Sequence, residues 1–168
     1  MSKKVIVIDN RKVLDKILNQ MHILGKNVVE VGCLEGEPSP DKSLPLAAIA
    51  AVHEYGAIIK NGFGKNITIH IPERSFLRRW TITKKSSINQ KILSMVRAVA
   101  GGVYTASIAL KLLGEFGQGG VKESLLTLKV PPLKPATVRK KGSSKLLIDK
   151  AILLNGVRYR IVPIKAIK

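Results

Sequence analysis

The chain has 168 residues, 45% of them apolar, which is enough to bury a core and too many for global disorder. Its 29 Lys and Arg stand against 11 Asp and Glu, a formal +18, and a single cysteine excludes an intrachain disulfide framework and a thiolate metal cluster. No apolar run is long enough to cross a bilayer and the N-terminus lacks a signal-peptide layout, so a single domain folded in a reducing cytoplasm, with no membrane partner, is expected.

Taken in order, Lys3–Ile8 (KKVIVI) is short and β-branched, which predicts an N-terminal arm or edge strand over residues 1–9. Asp9 or Asn10 can cap a helix in which Val13, Leu14, Ile17, Leu18, Met21 and Leu24 recur at helical spacing, with Gly25 as its stop. Asn27–Gly32 reads as a strand, and the proline-rich stretch 35–45 as an extended polar loop. Leu46–Tyr55 is a short apolar helix, ended by Gly56 in a left-handed conformation. A loop punctuated by Asn61-Gly62 and Gly64 follows. Ile67, Ile69 and Ile71 then share one face of a strand that Pro72 closes, ahead of an amphipathic segment from Arg74 to Trp80.

Beyond Trp80 the pattern predicts a turn at Lys84–Ser87, with Ser86 or Ser87 as cap, and then a long helix. Its stripe is Ile88, Ile92, Met95, Val96, Val99, Val103, Ala106, Leu110 and Leu113, interrupted by Gly101-Gly102 as a bend, a break or a close backbone approach. Gly114, Gly117, Gly119 and Gly120 predict a loosened stretch, GQGG being read as a turn, before Val121, Leu125 and Leu128 resume a helical stripe. Residues 129–145 are proline-rich and then basic, a second extended loop. A short helix Leu146–Leu154, a turn at Asn155-Gly156 and a strand Val157–Val162 close the chain. On that strand Val157, Tyr159 and Ile161 face one way, Arg158 and Arg160 the other. The sum is one α+β domain over 1–168: a small mixed or antiparallel sheet of three or four strands, a long amphipathic helix and shorter helices.

Charge is concentrated at one end. Residues 1–80 hold 12 Lys/Arg and 8 Asp/Glu, while residues 81–168 hold 17 Lys/Arg and only Glu115, Glu123 and Asp149. Such an excess calls for a polyanion or an acidic protein as neighbour. Arg139, Lys140 and Lys141 form a compact cationic run, Arg158 and Arg160 share a strand face, and Arg78-Arg79 adjoin Trp80. With no aromatic interleaving, any nucleic-acid contact would be to the backbone and strongly salt-dependent.

Catalytic chemistry is not legible. His53-Glu54 lacks the second histidine one helical turn on, since position 57 is Ala. His22, His53 and His70 lie on separate elements without carboxylates or thiolates at ligand spacing, which implies no metal and no cofactor. Glu54 is better suited to pairing with a base or capping a turn than to acting as a general base. Cys33 reads as a small buried residue, and GFG at 62–64 as a turn rather than a phosphate loop. A non-enzymatic protein is expected. A hydrolase would need paired carboxylates that the second half does not supply.

Two stretches resemble a known family. IAAVHEYG with IPERSFLRRW is similar to the paired "IA-x-x-x-E-[FY]-G … IP-x-R-x-F" signature of the virion-morphogenesis and head–tail-joining (neck, tail-completion) proteins of tailed bacteriophages; Glu54, Tyr55, Gly56, Ile71, Pro72, Arg74 and Phe76 match. PPLKPATVRKKGSSKLLIDKAILLNGVRYRI resembles the same families' C-terminal stretch through Pro131, Pro132, Leu133, Pro135, Thr137, Lys141, Gly142, Ser143, Leu147, Asp149 and Leu153, departing from it at Lys150-Ala151 and Gly156. The resemblance implies a mixed sheet flanked by helices and a structural virion protein assembled in the host cytoplasm. Such proteins form rings of six or twelve copies around the DNA channel, as a neck or a tail terminator. The implied partners are other copies, the portal or connector, tail-tube or sheath proteins, and genomic DNA in the lumen. Glu54, Tyr55, Gly56, Pro72, Arg74 and Phe76 would form the structural or interface motif. Arg139, Lys140, Lys141, Arg158 and Arg160 would face DNA or an acidic neighbour. The alternative is a free, non-sequence-specific nucleic-acid-binding protein using the basic half.

Overall fold

A computed structural model describes residues 11–36, 44–60, 68–129, 132, 135, 139 and 152–166. The expected arm at 1–9, residues 37–43 of the first loop, Ile67, the turn at 61–64, Lys140 and Lys141 lie outside the described residues, as does most of 129–151. Helices α1 (Arg11–Lys26), α2 (Leu46–Tyr55), α3 (Leu77–Thr83), α4 (Lys85–Ala100), α5 (Ala106–Thr127) and α6 (Ile152–Gly156) and strands β1 (Asn27–Cys33), β2 (Ala57–Ile59), β3 (Ile69–Ile71) and β4 (Val157–Pro163) follow one another in the order α1-β1-α2-β2-β3-α3-α4-α5-α6-β4. The class is α+β, with the strands divided between two antiparallel two-stranded sheets instead of one.

The first sheet pairs β1 with β4 in a register running from Asn27↔Pro163 to Cys33↔Val157. As the alternation predicts, Val157 is buried and Tyr159 and Ile161 are half-buried, while Arg158 and Arg160 are exposed. Glu30 and Arg160 lie opposite each other in that register, and Arg160 Nε donates to Glu30 Oε2 at 2.6 Å.

α5 lies across this sheet, and the way it does so corrects the reading of its glycines. GQGG is no turn: one helix runs from Ala106 to Thr127 through all four glycines. A β-carbon on Gly114 would stand 2.2 Å from the Tyr159 ring, one on Gly117 2.8 Å from Val31, and one on Gly120 2.1 Å from the Trp80 indole. These three, spaced by three residues, make a flat track on which the sheet and Trp80 seat closely. Gly119 points away, with nothing within 4 Å. Gly119→Ala is therefore expected to stabilise the protein by about 0.5–1 kcal/mol through helix propensity, whereas Gly120→Ala loses about 1–3 kcal/mol to overpacking despite the same propensity gain. Thermal melts of the two neighbours separate the effects.

The long stripe from Ile88 to Leu113 belongs to two helices. Gly102 takes φ +72°, Gly102 N–H donates to Val99 O and Val103 N–H to Ala98 O at 3.0 and 2.8 Å, a Schellman cap that ends α4. Thr105 Oγ1 then accepts from Ile108 N–H to open α5, and Val103, placed in the turn, is exposed. Other boundaries also move. Gly25 does not stop α1, which continues through Lys26, where the Asn27 side chain donates to Ile23 O. Neither Ser86 nor Ser87 caps α4, since Lys84 occupies the cap position without a side-chain bond. Pro135 and Arg139 are helical, so the loop reading of 129–145 fails at those two, and Asn155-Gly156 ends α6 with Gly156 packed on Leu46.

Two cores result. The larger gathers Leu46, Ala50, Phe76, Val121, Leu125, Leu128, Leu153 and Val157 between α2, α5, α6 and β4. A smaller one joins Met95, Val99 and Ala109 to Met21, Leu24, Leu112 and Leu113 of α1 and α5. Where the sequence predicts only loop after Gly56, β2 pairs with β3 as a separate ribbon, Ala57↔Ile71 to Ile59↔Ile69.

Candidate functional site

Glu54, Gly56, Arg74 and Phe76 converge on the N-terminus of α3. A helix start leaves backbone N–H groups without intrahelical acceptors, and Phe76, at the cap position, has no side chain able to serve them. Glu54, on the last turn of α2 and 22 residues earlier, supplies the acceptor. Its carboxylate receives Phe76 N–H and Leu77 N–H on Oε2 at 2.8 and 3.0 Å, and Arg78 N–H on Oε1 at 2.9 Å. Only 2% of Glu54 is exposed, a burial tolerable because the charge meets three donors, the positive end of a helix and a guanidinium.

That guanidinium is Arg78. Its Nε donates to Glu54 Oε1 at 3.1 Å, and its NH2 donates to Glu54 O at 2.8 Å and to Glu73 Oε1 at 2.7 Å. It also lies over the Tyr55 ring, 4.8 Å from the centroid. The hydrogen bond to Glu54, with the nearby Glu73 charge, raises the Arg78 pKa above its ordinary value. The chain entering α3 is fixed twice more: Arg74 N–H donates to His53 O at 2.8 Å, and Ser124 Oγ donates to Phe76 O at 2.9 Å. Phe76 itself is fully buried, and Arg74 is 7% exposed, with desolvation lowering its pKa.

Gly56 makes the geometry possible. At φ +75° and ψ 169° it occupies an extended positive-φ region rather than the expected left-handed helical one. Its Cα hydrogens face Glu73 N and Ile71 O, where a β-carbon would come within 2.9 Å of both. Tyr55 and Pro72 are exposed flanks of this junction.

Glu54, Gly56, Arg74 and Phe76 are thus brought together, with Glu54 in the pairing and capping role that its sequence context predicts. The sequence reading passed over Ser124 and Glu73, and took Arg78 only as part of a basic cluster. A helix start without its own Ser, Thr, Asp or Asn at the cap position was the available signal. Of the second group, Arg139, Arg158 and Arg160 are among the described residues. Arg158 and Arg160 share a face, but Arg158 NH1 donates to Asn155 O and Val157 O, and Arg160 is paired with Glu30. Arg139 is exposed on another segment.

Every carboxylate of this site is engaged with a donor, and among the described residues no group of three or more His, Cys, Asp or Glu is placed to hold a metal ion. No helix among them is long and apolar enough to cross a membrane. The class defined by fold and site is an α+β domain in which Glu54, Phe76 and Arg78 form an internal lock between α2 and α3. Compared with protein-family models, curated proteins and solved structures, the chain has no match.

Proposed function

We propose that the chain is a structural virion protein of a tailed phage, a neck or tail-terminator subunit that works by shape and charge around the DNA channel. The observation that carries this reading is the lock itself. The two halves of the signature that resembles the head–tail-joining families, Glu54-Tyr55-Gly56 and Pro72-x-Arg74-x-Phe76, close on one another through the buried hydrogen bond from Phe76 N–H to Glu54, with Arg74 N–H donating to the carbonyl of the adjoining His53. Such residues hold a scaffold and present surfaces, which is what an assembly subunit requires. In this reading the partners are further copies, the portal or connector, and tail-tube or sheath proteins.

Electron microscopy of purified particles, with this chain located by labelling, tests the proposal. Several copies at the head–tail junction or tube end are expected, and particles that lack the chain would remove the reading. A second reading, free binding to nucleic-acid backbone, is favoured by the charge excess in residues 81–168. It predicts duplex affinity that falls about 10³-fold or more between about 50 and 200 mM salt, with no attachment to particles.

A further inference from the structure

Helix α1 is amphipathic along its length, yet none of its residues is buried. Its apolar stripe meets the helices behind it at Ile17, Met21 and Leu24. Ile17 lies 3.7 Å from where a β-carbon on Gly102 would stand, Gln20 Oε1 accepts Ala106 N–H at 2.8 Å, and Met21 and Leu24 pack with Met95, Val99 and Ala109. Followed back along α1, these contacts move from α5 to the turn between α4 and α5. The helix then runs on for another turn and a half, Arg11 to Lys16, about 9 Å of rise.

On that overhang Val13 and Leu14, four and three residues before Ile17, keep to its face, and Leu18 lies one turn from Leu14. All three are more than half exposed, and the neighbouring turn adds exposed Val103 and Tyr104. Together they line an open corner with apolar surface on the order of a few hundred Å², a size at which a patch marks an interaction site. Cations flank it. Arg11 stands three residues before Leu14 and Lys16 three after Val13, both exposed, and the first turn holds no acidic residue. Lys16 is in no ion pair among the described residues. Asp15, two residues from both Val13 and Ile17, is on another face.

We infer that this corner docks an acidic amphipathic helix of a partner protein, its apolar stripe on Val13, Leu14, Leu18 and Val103 and its carboxylates toward Arg11 and Lys16. Charge and shape select this occupant. A second copy would bring Arg11 and Lys16 against another chain of +18. A nucleic acid would satisfy the cations and leave the apolar stripe wet. A bilayer is flat and would rest on the overhang, whereas a single helix about 10 Å across can enter the corner. The inference stands apart from the virion reading. It puts an acidic contact in the less basic half of the chain, on other residues than Arg139, Arg158 and Arg160.

Fluorescence anisotropy tests it, using the full chain and a labelled synthetic helix of about 14 residues with leucines at i, i+3 and i+7 and glutamates on the flanks. At about 0.15 M salt this peptide is expected to bind at least about tenfold more tightly than a scrambled one, because the scramble keeps the charge and breaks the stripe. Leu14→Ser, Leu18→Ser and Lys16→Glu should each weaken binding about tenfold. Leu126→Ser and Lys129→Glu, the same changes at and just beyond the far end of α5, should leave it within about twofold. Leu14, Leu18 and Lys16 are all exposed, so thermal melts of these variants should match wild type. Equal binding of peptide and scramble, or equal losses from the distant pair, would reduce the contact to net charge and overturn the proposal. So would Leu14→Ser and Leu18→Ser variants that bind like wild type. Anionic vesicles or duplex DNA that lose affinity on Leu14→Ser while the peptide does not would give the face to a membrane or a nucleic acid. A wild-type dimer that Leu14→Ser dissolves would give it to a second copy.

Discussion

Replacing Glu54 by alanine should lower stability by about 3–5 kcal/mol, the range found when one partner of a buried charged network is removed. The magnitude follows from what is stranded. Three backbone N–H groups at the start of α3 lose their acceptor together; the buried Phe76 donor costs about 1–3 kcal/mol, and the part-buried Leu77 and Arg78 donors cost less because water reaches them. Arg78 retains Glu73 and the Tyr55 ring, so its part of the loss is small. Arg78→Ala, which leaves all three amide bonds to Glu54 in place, should therefore be much milder than Glu54→Ala. Glu54→Gln should fall between them, since an amide offers one acceptor oxygen where the carboxylate offers two. Urea unfolding of the three variants with a shared m-value checks this order. If Arg78→Ala proved as costly as Glu54→Ala, the lock would be an ion pair first and a helix cap second.

Where local chemistry decided the outcome, the sequence was legible. β1, β4, α2 and the alternating faces of β4 follow from short-range periodicity, and Glu54 as a pairing and capping residue follows from the absence of any catalytic companion. What was not legible depended on neighbours distant in sequence. Gly114, Gly117 and Gly120 look like breakers because helix propensity alone weighs about 1 kcal/mol against each. That cost is offset by the close seating of Tyr159, Val31 and Trp80, which only the folded chain brings there. β2 has three residues and no turn signal of its own, and its identity as a strand comes from pairing with β3. Arg78 could be seen as basic, but its orientation toward Glu54 exists only once α3 starts against α2. The break at Gly101-Gly102 lay within the expected range, and Gly102's positive φ selects the outcome.

Phe76→Ala is the second large loss expected, about 3–5 kcal/mol, and it separates packing from polar fixation at the same junction. Among the described residues Phe76 is the largest side chain that is completely enclosed, set among Leu46, Ala50, Val121 and Leu125 of the main core. Its backbone is held independently, N–H by Glu54 and carbonyl by Ser124 Oγ at 2.9 Å and Trp80 N–H at 3.3 Å. Truncation should therefore leave a cavity rather than a collapsed core, because the main chain at position 76 cannot move inward without giving up these bonds. A rigid cavity falls at the upper end of the range, as the cost grows by about 24 cal/mol for each Å³ that fails to close. Phe76→Leu, which keeps most of the volume, should recover more than half of the loss. Ser124→Ala removes the shorter of the two hydrogen bonds on that carbonyl, leaving Trp80 N–H, and loosens the site, so the double variant Phe76→Ala/Ser124→Ala should be less destabilised than the sum of the two single changes. Additive losses would show that the carbonyl bond does not restrain the cavity, and that the core around α3 adjusts as freely as an unfixed one.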